Sequence, residues 1–259
     1  MIIHGDTTVF PAGDVITATS RPPAAHGLPF LDIDFKLRHP KDSMLGLRGC
    51  GVYAFGFDDR LVYIGSFLGK CKSRNPDPSK VMDPFIGDVA HERWWKHLST
   101  CTLRGWRTGT ERNNVLASVG LFGQAPPLPA LFDAGAAFAR AKGCQASKKR
   151  IRFAVKHWDE LNHTVADAQQ VLARFSITYV RIERGSVKGD VMSIMKGVKD
   201  AEDGLIKRLK PVVNDDTDEW IEPAQRMPMG EVGAHMRAAL LAEEHLLNRV
   251  RPGFALPPV

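Results

Sequence analysis

The pattern of hydrophobic and polar positions is most distinctive just before the end of the first quarter of the chain. Two runs of β-branched and aromatic residues, 51–57 (GVYAFGF) and 61–65 (LVYIG), lie on either side of the polar segment Asp58-Asp59-Arg60. Short runs of this composition with a short polar connection are typical of a β-hairpin. The pattern therefore predicts two antiparallel strands here.

Most of the remaining chain has helical spacing. Residues 1–45, rich in Pro, Gly and Thr, predict loops with one or two short strands, and Ser176–Glu183 (SITYVRIE) predicts a further strand. One helix is expected to begin at a cap on Asp83 or Asp88 and another to end before Pro211. The first of these helices is predicted to end at about Cys101, and the second to extend from Asp190 to about Leu209. The other predicted helices are Leu131–Ala141, Lys148–Leu161, Val165–Phe175 and about 230–250.

Composition narrows the class of protein. The chain has 259 residues, of which 44% are hydrophobic and 25% charged, as in an ordinary globular protein. No apolar run approaches the roughly 20 residues of a membrane helix, and residues 1–6 lack the features of a signal peptide. The four cysteines are far apart and form no CxxC pair, which disfavours a disulfide framework and a zinc finger. We expect a cytoplasmic protein with no membrane partner.

The positive charge is concentrated in one segment. The chain carries a formal charge of +6, and residues 103–175 hold eleven Lys or Arg against five Asp or Glu, while the remainder holds 24 of each. Such a surface favours a polyanion such as nucleic acid, although a solvated basic face with no partner has the same composition. The candidate DNA-binding residues of this segment are Lys148, Lys149, Arg150, Arg152 and Lys156.

The hairpin also carries a motif. Gly51-Val52-Tyr53 is followed, ten residues on from the tyrosine, by Tyr63-Ile64-Gly65. Here the sequence resembles the GIY-YIG nuclease superfamily, with GVY as a conservative departure from GIY. Core packing is the alternative reason for tyrosines and glycines in a hairpin. The resemblance implies an α/β (α+β) fold with a small three-stranded antiparallel sheet flanked by helices.

The next predicted helix supports the resemblance. Arg93 and His97 are four residues apart and therefore share a helix face. Restriction-type members of the family carry an Arg-x-x-x-His pair at this point, and the planar guanidinium suits a phosphate because it can donate two hydrogen bonds at once. A surface Arg and His on an amphipathic helix are the alternative.

A carboxylate interrupts the apolar stripe of a later helix. Glu202 falls among hydrophobic positions, where burial of its negative charge is costly unless a cation lies beside it. Arg93 or a divalent metal ion could be that cation. The family has Glu, Leu-Ile, Pro and Asn at similar spacing, here ending at Pro211 and Asn214. Glu243 in the last predicted helix has the same local pattern. We prefer Glu202, because a predicted strand precedes its helix and Asn214 follows it.

The resemblance covers residues 49–101 and 176–214. It implies a nuclease core over 49–214, interrupted by a basic helical insertion at about 103–175, with an N-terminal extension (1–48) and a C-terminal helical tail (215–259). The role of the extension is not predicted.

The resemblance implies a metal-dependent endonuclease that hydrolyses DNA phosphodiester bonds, of restriction type, with Mg²⁺ or Mn²⁺ as cofactor. Tyr53 is then the general base or activates the nucleophile, Tyr63 orients water or phosphate, and Arg93 stabilises the developing charge. His97 is then a proton relay, Glu202 a metal ligand and Asn214 a supporting amide. Lys70 is a candidate catalytic lysine.

Several alternatives remain open at this point. A homing-type endonuclease joins a similar core to a separate DNA-binding part, and a catalytically inactive DNA-binding module would retain the basic insertion. A small-molecule enzyme that uses the tyrosines is a third class, in which the insertion has no evident purpose. Double-stranded DNA is the expected partner, and a homodimer is left open.

Strand geometry makes one further prediction. Successive side chains of a strand alternate between faces, so Tyr53 and Tyr63 share a face only if an odd-length loop or a bulge interrupts a regular hairpin. That register pairs Tyr53 with Gly65, which leaves room beside the ring. We also expect Glu202 to lie on the same face of the sheet, together with Arg93 and His97.

Overall fold

The computed structural model describes residues 3–4, 9–20, 33–70, 83–104, 108–123, 144–161, 164–184, 190–214 and 220–249. These ranges combine helices with antiparallel sheet, which confirms the predicted α+β class. The predicted helix at 131–141 lies outside them. None of the described helices is both long and apolar enough to cross a lipid bilayer.

The strands include the three that the sequence predicted. In chain order they are β1 (Ile3–His4), β2 (Phe10–Pro11), β3 (Ile16–Ser20), β4 (Ile33–Leu37), β5 (Gly51–Phe57), β6 (Arg60–Phe67), β7 (Thr108–Gly109), β8 (Cys144–Gln145) and β9 (Phe175–Ile182). The main sheet has the order β1-β9-β5-β6, with β2 also paired to β9. The predicted three-stranded sheet is thus extended to five strands by two short N-terminal ones. Strands β3 and β4 form a separate hairpin, and β7 pairs with β8 in parallel.

Five of the seven α-helices in the described residues fall on predicted segments, whereas Ala12–Val15 and Arg112–Phe122 were not predicted. The helix that begins at Lys148 ends at Lys156 rather than at the predicted Leu161. In chain order the helices are α1 (Ala12–Val15), α2 (Trp95–Thr102), α3 (Arg112–Phe122), α4 (Lys148–Lys156), α5 (Val165–Arg174), α6 (Val191–Leu209) and α7 (Met229–Arg249). A π-helical turn, Ala90–Trp94, leads into α2. The carboxylate of Asp88, one of the two predicted caps, accepts hydrogen bonds from the first backbone N–H groups of this turn. Asp190 caps α6 in the same way through Ser193 N.

The turn of the main hairpin has two residues. Asp58 and Asp59 both adopt positive φ, 49° and 60°, and Phe57 pairs with Arg60 on either side of them. Two successive positive φ values are the requirement of a type I′ turn, which Asp tolerates better than most residues.

A bulge beside this turn sets the register. Phe55 pairs with Tyr63, and the register shifts by one residue between Phe55 and the turn. Tyr53 consequently pairs with Gly65. The predicted irregularity of the hairpin is confirmed, and it takes the form of a bulge rather than a longer loop.

Different helices cover the two faces of the sheet. The tyrosine face, which carries Tyr53, Phe55 and Phe57, packs in one apolar core with α2, α4 and α5. The opposite face, which carries Val52 and Ala54, packs with α6 and α7. The helices of the region predicted as an insertion therefore lie on the tyrosine face, where α4 contacts α2 directly.

Candidate active site

The two motif tyrosines lie side by side on one face of the sheet. Their ring centroids are 6.1 Å apart. Gly65 makes this possible, because a Cβ atom at that position would lie 2.6 Å from Tyr53 Oη. The motif glycine therefore serves the packing of Tyr53, as its cross-strand position predicted.

His97 connects Tyr53 to a basic residue of the inserted region. Tyr53 Oη lies 2.5 Å from His97 Nε2, and Arg150 Nη2 lies 2.8 Å from His97 Nδ1. A guanidinium only donates, so Nδ1 must accept. In a neutral imidazole the proton is then on Nε2, and His97 donates it to the phenol oxygen of Tyr53.

Arg150 makes two further contacts in the site. Its Nη1 donates to Thr100 Oγ1 over 2.7 Å, and its guanidinium carbon lies 4.7 Å from the centroid of the Tyr63 ring. Thr100 belongs to α2 and Arg150 to α4, so the packing of these two helices places the cation. Sequence reasoning assigned Arg150 to DNA binding from charge alone, and only the packing shows its contacts with the motif residues.

The electrostatics of the site keep His97 neutral. Burial lowers the pKa of His97 well below its usual value, and the positive charges of Arg150 and Arg93 lower the pKa further. The charged form is disfavoured both by the loss of water and by nearby cations. His97 is therefore a neutral hydrogen-bonding group at physiological pH.

Both phenols stay protonated. Burial, above all, raises the pKa of Tyr53 well above its usual value, and burial also raises the pKa of Tyr63 while the charge of Arg150 opposes it. The hydrogen bonds of the site run from Arg150 through His97 to the phenol oxygen of Tyr53, and the ring of Tyr63 lies beside that of Tyr53.

Glu202 approaches the site from the other side of the sheet. It is only 7% exposed, and Ser66 Oγ donates to its Oε2 over 2.5 Å. Ser66 belongs to the edge strand β6, and Glu202 belongs to α6, which covers the opposite face. The expectation that Glu202 shares the sheet face of the tyrosines is therefore wrong. Helix α6 follows the last strand of the core and packs on the face that the inserted helices leave uncovered.

The carboxylate is nevertheless close enough to act on both phenols. After burial, the negative charge of Glu202 contributes to the raised pKa of Tyr53 and of Tyr63. Lys199, three residues earlier on α6, forms an ion pair with Glu202 Oε2. Ser66 and Lys199 were missed by sequence reasoning. The helical i, i+3 spacing of Lys199 and Glu202 is the signal that could have found the lysine.

Arg93 lies at the exposed rim of the site. It belongs to the π-helical turn before α2, and its side chain is exposed. Its charge lowers the pKa of His97 and opposes the rise in the pKa of Tyr53, so the guanidinium is near both groups. Turns of this kind recur at functional sites because they alter the spacing of side chains on a helix.

Asn214 supports the motif strand through its backbone. Its Oδ1 accepts from Ile64 N over 2.7 Å, and its Nδ2 donates to Ile64 O over 2.8 Å. Ile64 lies between Tyr63 and Gly65 on the edge strand. The amide thus continues the hydrogen bonding of a free sheet edge and fixes the segment that carries the motif.

Two candidates lie apart from these contacts. Lys70 is exposed, and its backbone N–H donates to Asp83 O. Among the described contacts, none joins its ammonium group to the tyrosines. Glu243 has its pKa raised by burial and by the charge of Asp200, with Lys196 opposing, so its neighbours are on the outer part of α6.

The remaining basic candidates differ in exposure. Lys148 is exposed at the start of α4, whereas Lys149 and Arg152 are each 9% exposed. Lys156 forms an ion pair with Glu222 over 3.3 Å. Of the five candidates, Lys148 is the exposed one, and Arg150 points into the tyrosine site.

Comparison with known proteins assigns no relative. No family model, curated protein or solved structure matches this chain.

Proposed function

We propose that the chain is a metal-dependent endonuclease that hydrolyses DNA phosphodiester bonds, as its resemblance to GIY-YIG nucleases of restriction type implies. One observation carries the proposal. Arg150, His97 and Tyr53 form a hydrogen-bonded series next to the ring of Tyr63, and the negative charge of the buried Glu202 acts on both phenols. Packing of the sheet core alone would not require the Tyr53 phenol to bond to a neutral His97 that is held in turn by Arg150.

The residues fit the steps of phosphodiester hydrolysis. Arg93 is exposed and positively charged, so it can meet the phosphate and stabilise the charge that develops on it. Burial raises the pKa of Tyr63, so its hydroxyl keeps a proton that it can donate to a phosphate oxygen or a water. Burial also raises the pKa of Tyr53, so Tyr53 bonds to His97 as a neutral phenol, packs beside the ring of Tyr63 and does not act as a phenolate base.

Glu202 fits a divalent cation. Its carboxylate is buried, and the Ser66 hydroxyl fixes its orientation. Both hydrogen-bonding partners among the described residues contact Oε2, which leaves Oε1 for a ligand role. Mg²⁺ and Mn²⁺ are held in nucleases by one or two carboxylates together with water and phosphate oxygens. When bound, such a cation supplies Lewis-acid stabilisation of oxygens at the scissile phosphate.

Double-stranded DNA is the proposed substrate. The helices of the basic region pack on the tyrosine face, so a duplex that reaches Tyr63 also meets α4, from which Arg150 contacts the Tyr63 ring. A homing-type activity and an inactive DNA-binding module remain the alternatives, and a homodimer remains a prediction.

Cleavage of plasmid DNA tests the proposal. The full chain is incubated with supercoiled plasmid and Mg²⁺ or Mn²⁺, beside Glu202→Gln, Tyr63→Phe and a Glu243→Gln control. We expect nicked and linear products from the wild type and the control alone. Binding without cleavage under all conditions would instead support the inactive module. Sequencing of the product ends separates short recurrent sites of restriction type from the long single sites of a homing enzyme.

A further inference from the structure

Three potential metal ligands meet where the segment after β4 crosses the turn before α2. One ligand atom from each of His39, Asp88 and His91 lies within 4.8 Å of the other two. Asp88 is fully buried, and the side chain of His39 is 12% exposed. Two imidazoles and one carboxylate are the donor set of many open zinc sites.

One ring nitrogen of His39 has no hydrogen-bond partner among the residues that the structure describes. This Nε2 atom is buried, and Asp88 Oδ2 lies 3.6 Å from it. That separation is too long for a hydrogen bond. It is close to the distance of about 3.4 Å between two ligands of a tetrahedral ion with bonds of about 2.1 Å. A shared cation would satisfy a nitrogen that is otherwise costly to bury.

One ring nitrogen of His91 is held by a backbone carbonyl. Its Nε2 lies 3.1 Å from the backbone oxygen of His39. A carbonyl only accepts, so Nε2 carries the proton, and in the neutral ring Nδ1 holds the lone pair that a metal needs. A hydrogen bond from the second ring nitrogen to a backbone carbonyl is the common outer support of a histidine ligand.

Asp88 divides its two oxygens between the helix and this cluster. Oδ1 accepts from Ala90 N and His91 N at the start of the helix. Oδ2 lies near His39 and accepts from Asp42 N over a long 3.2 Å. Helix capping thus explains Asp88 and one of its oxygens, but it does not explain why two imidazoles lie close to the same carboxylate.

One residue of the cluster borders a cavity. The cavity, of about 390 Å³, is lined by His91 and by residues of β4 and α2, namely Asp34, Phe35, Lys36, Leu37 and Trp95. An ion could approach the cluster from the side of His91 and take water as a further ligand there.

We propose that His39, Asp88 and His91 form a binding site for a first-row divalent cation such as Zn²⁺. Imidazole ligands select such ions over Mg²⁺, which prefers oxygen. The ion joins the segment 33–48 to the helix that carries Arg93 and His97. This site shares no residue with the metal site proposed at Glu202, so it does not depend on the nuclease assignment.

Cobalt spectroscopy on the full chain tests the site. Protein freed of metal by a chelator is titrated with Co²⁺, and the visible d–d bands of a four-coordinate ion are measured. We expect one equivalent to bind, Zn²⁺ to displace it, and Zn²⁺ to raise the midpoint of thermal unfolding. His39→Ala and Asp88→Asn should each weaken binding at least about tenfold. Asp88→Asn retains an oxygen that can cap the helix, so its loss of binding would not reflect loss of the cap.

Controls separate this site from other metal ligands. His235→Ala should leave the cobalt spectrum unchanged, whether or not the chain cleaves DNA. The absence of d–d bands in the wild type, or their persistence in a His39→Ala, His91→Ala double variant, would overturn the proposal. Thiolate charge-transfer bands would place the ion on cysteines instead. If the double variant fails to fold, the test is the cobalt spectrum of His39→Ala alone, which alters a segment outside any helix or strand. Unchanged d–d bands in that variant would likewise overturn the proposal.

Discussion

Arg150 Nη2 donates a hydrogen bond to His97 Nδ1 over 2.8 Å, although the two residues are 53 positions apart in the chain. A cation from the basic region thereby selects the tautomer of the motif histidine. This choice determines the direction of the hydrogen bond between His97 and Tyr53. The basic region therefore contributes to the candidate active site as well as to the charged surface.

Replacing Arg150 by Gln should change the pH dependence of cleavage. The positive charge of Arg150 helps, after burial, to lower the pKa of His97, so its removal raises that pKa. His97 then becomes protonated at a higher pH, and the acid limb of the activity profile moves upward. At neutral pH we expect activity to fall at least about tenfold, within the range of acid–base effects.

The control is Lys148→Gln, which removes an exposed charge two residues earlier on α4. It should leave the acid limb in place. An unchanged limb in Arg150→Gln would mean that the cation does not govern His97. A ¹⁵N spectrum of the imidazole reports the tautomer directly, and we expect Nε2–H in the wild type.

A methyl group at position 65 should displace Tyr53. The Cβ of Gly65→Ala would lie 2.6 Å from Tyr53 Oη, so the ring must move and its contact with His97 is lost. We expect cleavage to be abolished and stability to fall by about 1–3 kcal/mol, as in other overpacked cores. Gly204→Ala is the matched control, because a Cβ there meets nothing within 4 Å on a helix, and this variant should be slightly more stable. Urea unfolding measures both effects, and full activity in Gly65→Ala would contradict the proposed site.

Glu202→Gln should remove the dependence on divalent metal. The amide oxygen can still accept from Ser66, so we expect the fold to be retained while cleavage falls by two orders of magnitude or more, on the order of the loss of a catalytic metal's contribution. The measurement is the rate of plasmid nicking against Mg²⁺ concentration. Loss of cleavage in Glu243→Gln with retention in Glu202→Gln would reverse the assignment of the two similar helices.

Asn214→Ala should loosen the edge strand. It removes two hydrogen bonds to the backbone of Ile64, with an expected loss of about 1–3 kcal/mol of stability. Hydrogen exchange at the Ile64 amide should accelerate more than exchange in β9, which lies inside the sheet. Asn113→Ala, an exposed position on α3, serves as the control and should change neither quantity. Equal effects of the two variants would show that the Asn214 side chain does not stabilise the edge strand.

The salt dependence of DNA binding tests the basic surface. Neutralising Lys148, the exposed cation of α4, should lower the slope of log affinity against log salt by roughly one unit if it contacts a phosphate. Substitution of the buried Lys149 or Arg152 should affect folding more than this slope. An unchanged slope in Lys148→Gln would indicate a solvated face without a phosphate contact. Fluorescence anisotropy at several salt concentrations gives the slopes.

The local elements were predictable because their causes are local. Periodicity and capping residues defined β9, α5, α6 and α7 nearly to the residue, with Asp190 as the cap of α6. Strand parity predicted that the tyrosines could share a face only through an irregular hairpin, and a bulge supplies it. The short strands β1 and β2 were not resolved by pattern, since two residues carry too little periodicity and depend on pairing with β9.

The sequence by itself determined the hairpin, the cross-strand position of Gly65 beside Tyr53, and the helices that carry His97 and Glu202. These follow from side-chain alternation and helical spacing, which act over a few residues. Only the tertiary structure decided that Arg150 reaches His97 and that Glu202 approaches from the face opposite the tyrosines. Both depend on which sheet face each helix covers. That choice is made by the burial of apolar surface between segments far apart in the chain, which no local pattern specifies.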